Sequence, residues 1–194
     1  MYFIMERGVG DRNILDAFTI DFCKVLEKHV KYIVVSGFVA ISHGRRRTTE
    51  DIDTIIEKMS FEKFKKLHED LDSHGFHCIQ SSKVEDIYDY LEKKDSVRYV
   101  RKGTVLPPEM EIKFVKDEID EIQMRTRKKF ALTGLDIWFS SIEFNIAFKE
   151  ELLKTPKDME DAKHLRIIYK GEIDEHFINE IKKMIRILRL KREG

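Results

Sequence analysis

No part of the sequence narrows the possible folds as much as residues 33–57, IVVSGFVAISHGRRRTTEDIDTIIE. An apolar strand predicted at residues 31–35 ends at Ser36-Gly37 and leads directly into a short predicted helix at residues 38–43. Small residues at such a turn let backbone N–H groups approach a ligand, and the start of a helix adds partial positive charge. The turn therefore predicts a phosphate-binding site, although a strand–glycine–helix turn by itself is usually structural.

A second predicted strand, residues 51–57, begins with two aspartates that are separated by a single apolar residue. Because side chains alternate across a strand, Asp51 and Asp53 share one face and Ile52 points to the core. Two carboxylates on the same face of a strand repel each other. A fold tolerates this repulsion at an exposed edge, and a divalent cation between the carboxylates also relieves it. Mg²⁺, or Mn²⁺ in its place, takes few carboxylates together with waters and substrate phosphates. The pair therefore predicts a metal site beside the turn.

The remaining sequence predicts an α+β fold, with a mixed β-sheet and helices in residues 1–140. A C-terminal helical segment, residues 141–194, is expected to pack on this core. Within it, Thr155-Pro156 marks the start of a helix, and a last helix is predicted at residues 173–190. The other predicted helices cover residues 11–29, 60–74 and 84–93. The other strands are predicted at residues 76–80, 97–101 and 110–115, with a hairpin at residues 130–139.

Composition narrows the function classes. The 36 Lys and Arg residues equal the 36 Asp and Glu residues, which argues against a bulk nucleic-acid binder that works by net charge. The charged fraction of 37% resembles that of proteins from hot environments. Residues 1–10 carry no secretion signal, no apolar stretch is long enough to span a bilayer, and the two cysteines lie far apart. We therefore expect a cytoplasmic protein with reduced thiols.

The segment resembles the nucleotidyltransferase superfamily that includes DNA polymerase β and the small minimal nucleotidyltransferases. It is most similar to the branch of AbiEii-type toxins and their archaeal relatives. That family shows a glycine-rich turn, a short helix, an R-x-T stretch before an Asp–apolar–Asp strand, and a later carboxylate on another strand. Here the turn is Ser36-Gly37, and Arg47 with Thr49 fits R-x-T best within the run of three arginines. Two residues depart from the pattern, because Ser36 and Glu111 stand where the family usually has Gly and Asp.

The resemblance implies a nucleotidyltransferase fold with Asp51, Asp53 and Glu111 as catalytic residues that hold Mg²⁺ in a two-metal mechanism. It also implies nucleotide-binding residues, namely Ser36, Gly37, Arg47, Thr49, Lys149 and Asp158. From the residues alone, the arginine run can also be a solvated turn and Lys149 an ordinary surface lysine. Asp161 is expected to favour the dipole at the start of its helix, and His43 lies close enough in sequence to touch a nucleotide.

The resemblance implies two alternative functions. In the first, an enzyme transfers an NMP from an NTP to an RNA, such as a tRNA 3′ end, or to a protein hydroxyl. In the second, a catalytically weak nucleotidyltransferase-fold module binds nucleotide or RNA in a toxin–antitoxin-like system, together with a toxin or antitoxin partner protein. The intact Asp51 and Asp53 favour the enzyme, whereas the departures at Ser36 and Glu111 favour the module.

Overall fold

A computed structural model describes residues 13–104 and 107–193 of the chain. Its strands form one five-stranded sheet in the order β1-β2-β5-β4-β3. The central β2–β5 pair is parallel and the other neighbouring pairs are antiparallel, so the sheet is mixed, as predicted. The strands span β1 Tyr32–Val34, β2 Asp51–Ile56, β3 Phe76–Cys78, β4 Val97–Arg101 and β5 Glu109–Phe114.

Helices flank this sheet and make up the C-terminal part of the chain. The first four are α1 Ile14–His29, α2 Gly37–Ser42, α3 Phe61–Ser73 and α4 Val84–Glu92. They are followed by α5 Glu118–Arg125, α6 Ile142–Phe148, a π-helical turn at Lys149–Leu153, α7 Pro156–Ile168 and α8 Glu175–Glu193. The start of α7 is confirmed, because the Thr155 hydroxyl accepts from the backbone N–H of Asp158 and Pro156 lies in the first turn.

The main hydrophobic core lies on one face of the sheet. Alternation along β2 turns Ile52 and Ile56 into this core, where Phe22 of α1 packs on the rings of Phe76 and Tyr99. Each such side chain contributes about 1.5–3 kcal/mol when fully buried. The same cluster includes three buried isoleucines of α8, Ile178, Ile181 and Ile185. The C-terminal helical segment therefore shares its core with the sheet.

The opposite face of the sheet is covered at one end only. A small cluster of Ile33, Ile55 and Met124 joins this face to α5. The same alternation that places Ile55 here also places Asp51 and Asp53 on this face, closer to the start of β2. The sheet therefore separates a packed apolar side from a side that carries carboxylates.

Two local predictions differ from the structure. The hairpin predicted at residues 130–139 is wrong: Ala131–Thr133 forms a 3-10 turn, and Phe139 makes isolated bridges to Lys128 and Val34. The Thr133 hydroxyl donates to the Phe130 carbonyl at 2.7 Å, and this local bond competes with strand pairing. Helix α5 was not predicted. Residues 11 and 12, the start of the first predicted helix, lie outside the described residues.

Within residues 13–104 and 107–193, no helix combines the length and the apolar character needed to cross a membrane.

Candidate active site

The carboxylates of the predicted site form a row across the two central strands. In the parallel β2–β5 pair, Asp53 lies opposite Glu111 and Asp51 lies opposite Glu109. Residues directly opposite each other on neighbouring strands share a face of the sheet. Strand register thus brings Glu111, which is distant in sequence, onto the same patch of the sheet as Asp51 and Asp53.

Arg98 is a member of this row that the sequence did not reveal. It lies on β4 directly opposite Glu111, and its Nε donates to Glu111 Oε2 at 3.0 Å. Glu109 Oε2 lies 3.7 Å from the same nitrogen. The hydrogen bond and charge of Glu111, followed by the charges of Glu109 and Asp51, raise the pKa of Arg98 above its usual range. The alternation of side chains on β4 does not reveal how β4 pairs with β5. The sequence therefore gave no reason to place Arg98 beside the carboxylates.

Asp53 is the most perturbed carboxylate of the row. Burial, and after it the negative charge of Glu111, raise the pKa of Asp53 above its usual range. Lys113 and a hydrogen bond from the Ser36 side chain act in the opposite direction and favour the charged form. A carboxylate in this environment gains from any further positive charge, whether from a cation or from a substrate-bound metal.

The donor set fits a divalent cation only in part. Among the described residues, no three carboxylate, histidine or cysteine side chains are grouped so that they could hold a metal ion together. Asp51 and Asp53 share a face of β2, and two carboxylates completed by waters and phosphate oxygens are a usual Mg²⁺ environment. Glu111, the third predicted ligand, is hydrogen-bonded to Arg98. The residues thus suit one cation at the aspartate pair.

The turn before α2 has the close packing that its small residues predict. Ser36 adopts φ 65° and ψ −131°, a conformation that glycine reaches more easily than serine does. A Cβ on Gly37 would come within 2.9 Å of Arg47 Nη2, so the guanidinium of Arg47 lies against this glycine. Backbone atoms of the turn and the Arg47 side chain are therefore held next to each other.

A buried ion cluster fixes the basic loop to the C-terminal helices. The carboxylate of Asp161 is fully buried and accepts from Arg45 Nε at 3.0 Å, from Lys149 Nζ at 2.9 Å and from Arg47 Nη1. Lys149 Nζ also lies 3.4 Å from Asp158 Oδ1. The expectation for Asp161 is corrected: its carboxylate is the centre of an ion cluster, because three cationic side chains converge on it.

Four predicted nucleotide-binding residues, Arg47, Thr49, Lys149 and Asp158, lie in this cluster or in the loop that it holds. Arg47 points to Asp161, and the Thr49 hydroxyl donates to the Asp51 carbonyl at 3.2 Å. Lys149 is almost fully buried and is paired with Asp161 and Asp158. Direct contacts of these residues with a nucleotide stay predictions. Their observed contacts place the basic loop, the start of β2 and the start of α7 in fixed positions.

A cavity of about 300 Å³ opens beside Asp53, between the sheet and the helices α5 and α6. Of the predicted site residues, Ser36, Asp53 and Lys149 line it. Two lysines that the sequence did not single out, Lys113 and Lys116, also line it. Its apolar wall consists mainly of Phe144, Phe148, Leu152 and Leu153. A cavity with lysine side chains beside apolar walls matches the chemistry of a nucleotide.

His43 belongs to the core and not to this cavity. It is buried, its Nδ1 lies 2.6 Å from the Val39 carbonyl oxygen, and its Nε2 lies 2.9 Å from the Tyr169 hydroxyl. Burial lowers the pKa of His43 to about 4. The ring therefore joins α2 to the end of α7 as a neutral imidazole, and the possible nucleotide contact is not what the structure shows.

Two solved structures superpose on the chain and show that it has the nucleotidyltransferase fold that the sequence resemblance implies. The antibiotic-resistance factor ANT(2'')-Ia in solution has a TM-score of 0.56 and 12% identity, over 92% of this chain and 94% of that one. The crystal structure of ANT(2'')-Ia in complex with adenylyl-2''-tobramycin has a TM-score of 0.56 and 13% identity, over 91% and 99%.

No protein-family model and no curated protein sequence matches the chain. At 12% and 13% identity, the two structures show the fold alone. The assignment to the AbiEii-type branch and the expected hot habitat stay predictions.

Proposed function

We propose that this protein is a nucleotidyltransferase that transfers an NMP from an NTP to a hydroxyl group. One observation carries the proposal: Asp51 and Asp53 share a face of β2, Asp53 lies opposite Glu111, and Asp53 lines a cavity that lysines also line. Phosphoryl transfer depends on positioning the reacting groups and neutralising charge, and these carboxylates and lysines can do both on a nucleotidyltransferase fold. The adenylylated ligand of ANT(2'')-Ia supports adenylyl transfer as one form of the reaction.

Asp51 and Asp53 are the proposed ligands of the divalent cation. When bound there, Mg²⁺ or Mn²⁺ would neutralise charge on the phosphate oxygens and lower the pKa of an attacking hydroxyl. Ser36 and Asp53 line the same cavity, and the Ser36 side chain lowers the pKa of Asp53 and so favours its charged form. Glu111 is the third proposed carboxylate, and Arg98 decides whether it is free to act.

The lysines of the cavity are proposed to bind the triphosphate. Lys113 follows Glu111 by two positions on β5 and faces the same cavity as Asp53. Lys116 lines the same cavity, while Lys149 is paired with Asp161. The apolar wall at Phe148 and Leu152 would take the nucleoside and exclude water from the reacting phosphate. Backbone amides at Ser36 and Gly37 complete the proposed phosphate contacts.

Two acceptor classes are proposed, an RNA such as a tRNA 3′ end and a protein hydroxyl. The second candidate function is a catalytically weak module that binds nucleotide or RNA beside a toxin or antitoxin partner. The pairing of Glu111 with Arg98 favours this second function, because it occupies one of the three proposed catalytic carboxylates.

Incubation with each α-labelled NTP, Mg²⁺ and either total RNA or protein tests the proposal. We expect label on a discrete RNA or protein, and at least a hundredfold slower labelling with Asp53→Asn, because the ion supplies several kcal/mol of transition-state stabilisation. Asp89→Asn, at an exposed position on α4, is the matched control and should label as wild type does. Equal labelling by Asp53→Asn would contradict the proposal, and Mg²⁺-dependent NTP binding without transfer would favour the module.

A further inference from the structure

Arg98 gives the carboxylate row a positive charge of its own. The guanidinium stays protonated at all accessible pH values, so this charge is permanent. Its Nε lies 3.0 Å from Glu111 Oε2 and 3.7 Å from Glu109 Oε2, in the same patch that is expected to bind metal. The side chain is 43% exposed and is anchored by strand register, because β4 places it directly opposite Glu111.

Glu111 is the predicted ligand of a second divalent cation. The described residues form no three-ligand group, and Glu111, which lies directly opposite Asp53, is hydrogen-bonded to Arg98. Moving Glu111 onto a cation would leave the guanidinium without this bond and would place two like charges side by side. Asp51 and Asp53 carry no such restriction, since no described arginine or lysine nitrogen is hydrogen-bonded to their side chains.

We propose that the carboxylate row holds one divalent cation, on Asp51 and Asp53, while Arg98 stays paired with Glu111 and replaces a second cation. This inference rests on the proposed function, because it concerns the metal that transfer would use. Arg98 is then a positioning residue. It fixes Glu111 and supplies a localised positive charge where a two-metal site would place its other ion.

Counting bound ions tests this inference without any reaction. The purified protein is titrated with MnCl₂ in the absence of nucleotide, and free Mn²⁺ is followed by electron paramagnetic resonance. Wild type is expected to bind one ion per chain. Arg98→Met is expected to bind two, the second at least tenfold more tightly than any second ion on wild type, because Glu111 is released.

Matched variants identify the ligands. Arg101→Met changes the same residue type on the same strand, and Arg101 pairs with Asp21 at a distance from the site, so the count should stay at one. Adding Glu111→Gln to Arg98→Met should return the count from two to one. Asp53→Asn should abolish the wild-type ion. Circular dichroism checks that each variant is folded.

The inference is overturned if wild type binds two ions with similar affinity, if it binds none, or if Arg98→Met still binds one. These outcomes are separate from those of the transfer assay. A wild-type chain that binds one ion but transfers no nucleotide would refute the proposed function and leave the role of Arg98 intact.

Discussion

Ser36 combines an unfavourable backbone conformation with a useful side chain. Its backbone conformation, φ 65° and ψ −131°, lies in a sparsely populated region that costs an L-residue about 1–3 kcal/mol. Its side chain lowers the pKa of Asp53 and so favours the charged carboxylate, an effect that glycine cannot supply. Serine at this turn therefore combines an unfavourable backbone conformation with an interaction that favours the charged form of the proposed metal ligand.

Comparing Ser36→Ala with Ser36→Gly separates these two effects. Both variants lose the hydroxyl, but only alanine keeps the strained backbone at an unfavourable φ. We expect Ser36→Gly to be more stable than Ser36→Ala by about 1 kcal/mol in urea denaturation. Equal stability of the two variants would show that the turn relaxes without cost.

His43 makes stability depend on pH. Its pKa is lowered to about 4 in the folded protein, from an ordinary value of 6.5. Between these two values the unfolded chain binds more protons, so folding becomes less favourable as the pH falls. The wild type should lose up to about 1.4 kcal/mol per pH unit from this one group.

The measurement is the free energy of unfolding of wild type and His43→Gln from pH 7 to pH 4.5. The variant should be less stable at pH 7, and the gap should narrow as the pH falls below 6.5. His176→Gln on α8, where the side chain is 83% exposed, serves as control and should show a gap that does not change in this way. A constant gap for His43→Gln would refute the prediction.

At the scale of elements, Asp161 connects three parts of the chain. From α7 it holds Arg45 and Arg47 of the basic loop and Lys149 at the end of α6. Because the cluster is buried, removal of this anion leaves Arg47 without its carboxylate partner, while Arg45 and Lys149 keep only Glu160 and Asp158.

Asp161→Asn should therefore destabilise the protein by about 3–5 kcal/mol, measured as the free energy of unfolding in urea. Glu160→Gln is the matched control, because Glu160 neighbours Asp161 on α7 and also pairs with Arg45. Its side chain is 68% exposed, so the expected loss is below about 1 kcal/mol. A similar small loss in both variants would mean that the cluster contributes little to stability.

The helices and strands also show which parts of the fold could be predicted from the sequence. Apolar alternation predicted β2 and β5, and the Thr155-Pro156 signal placed the start of α7, because these patterns are local. Helix α5 was missed because its sequence, EIDEIQMR, is mostly polar and has a short apolar face. Arg98 could not be assigned to the site, since its place beside Glu111 depends on pairing between β4 and β5, which no local pattern encodes.

At the scale of the whole molecule, α8 completes the core on which the sheet depends. Ile178, Ile181 and Ile185 are buried in the same cluster as the sheet residues. The boundary predicted between residues 140 and 141 stays a prediction, but this shared burial indicates that the helical segment and the sheet stabilise each other.

Ile181→Ala should lower the free energy of unfolding by about 2–5 kcal/mol, because it opens a cavity in this core. Ile187→Ala on the same helix is the matched control, since Ile187 is 53% exposed, and it should change stability by less than about 0.5 kcal/mol. Urea denaturation measures both. Equal effects would mean that α8 does not pack as a core element.

The parallel pairing of β2 with β5 has a further consequence for how the protein folds. Asp53 and Glu111 are far apart in the chain and meet only through a crossover connection, the kind of long-range contact that forms slowly during folding. A slip of β5 by one residue would turn Glu111 inward and put Ile112 in its place. In a refolding chain, the carboxylates of β2 and β5 therefore come together only when β5 has paired in the correct register. Formation of the Arg98–Glu111 hydrogen bond, which needs β5 in its correct register with β4, would report that moment.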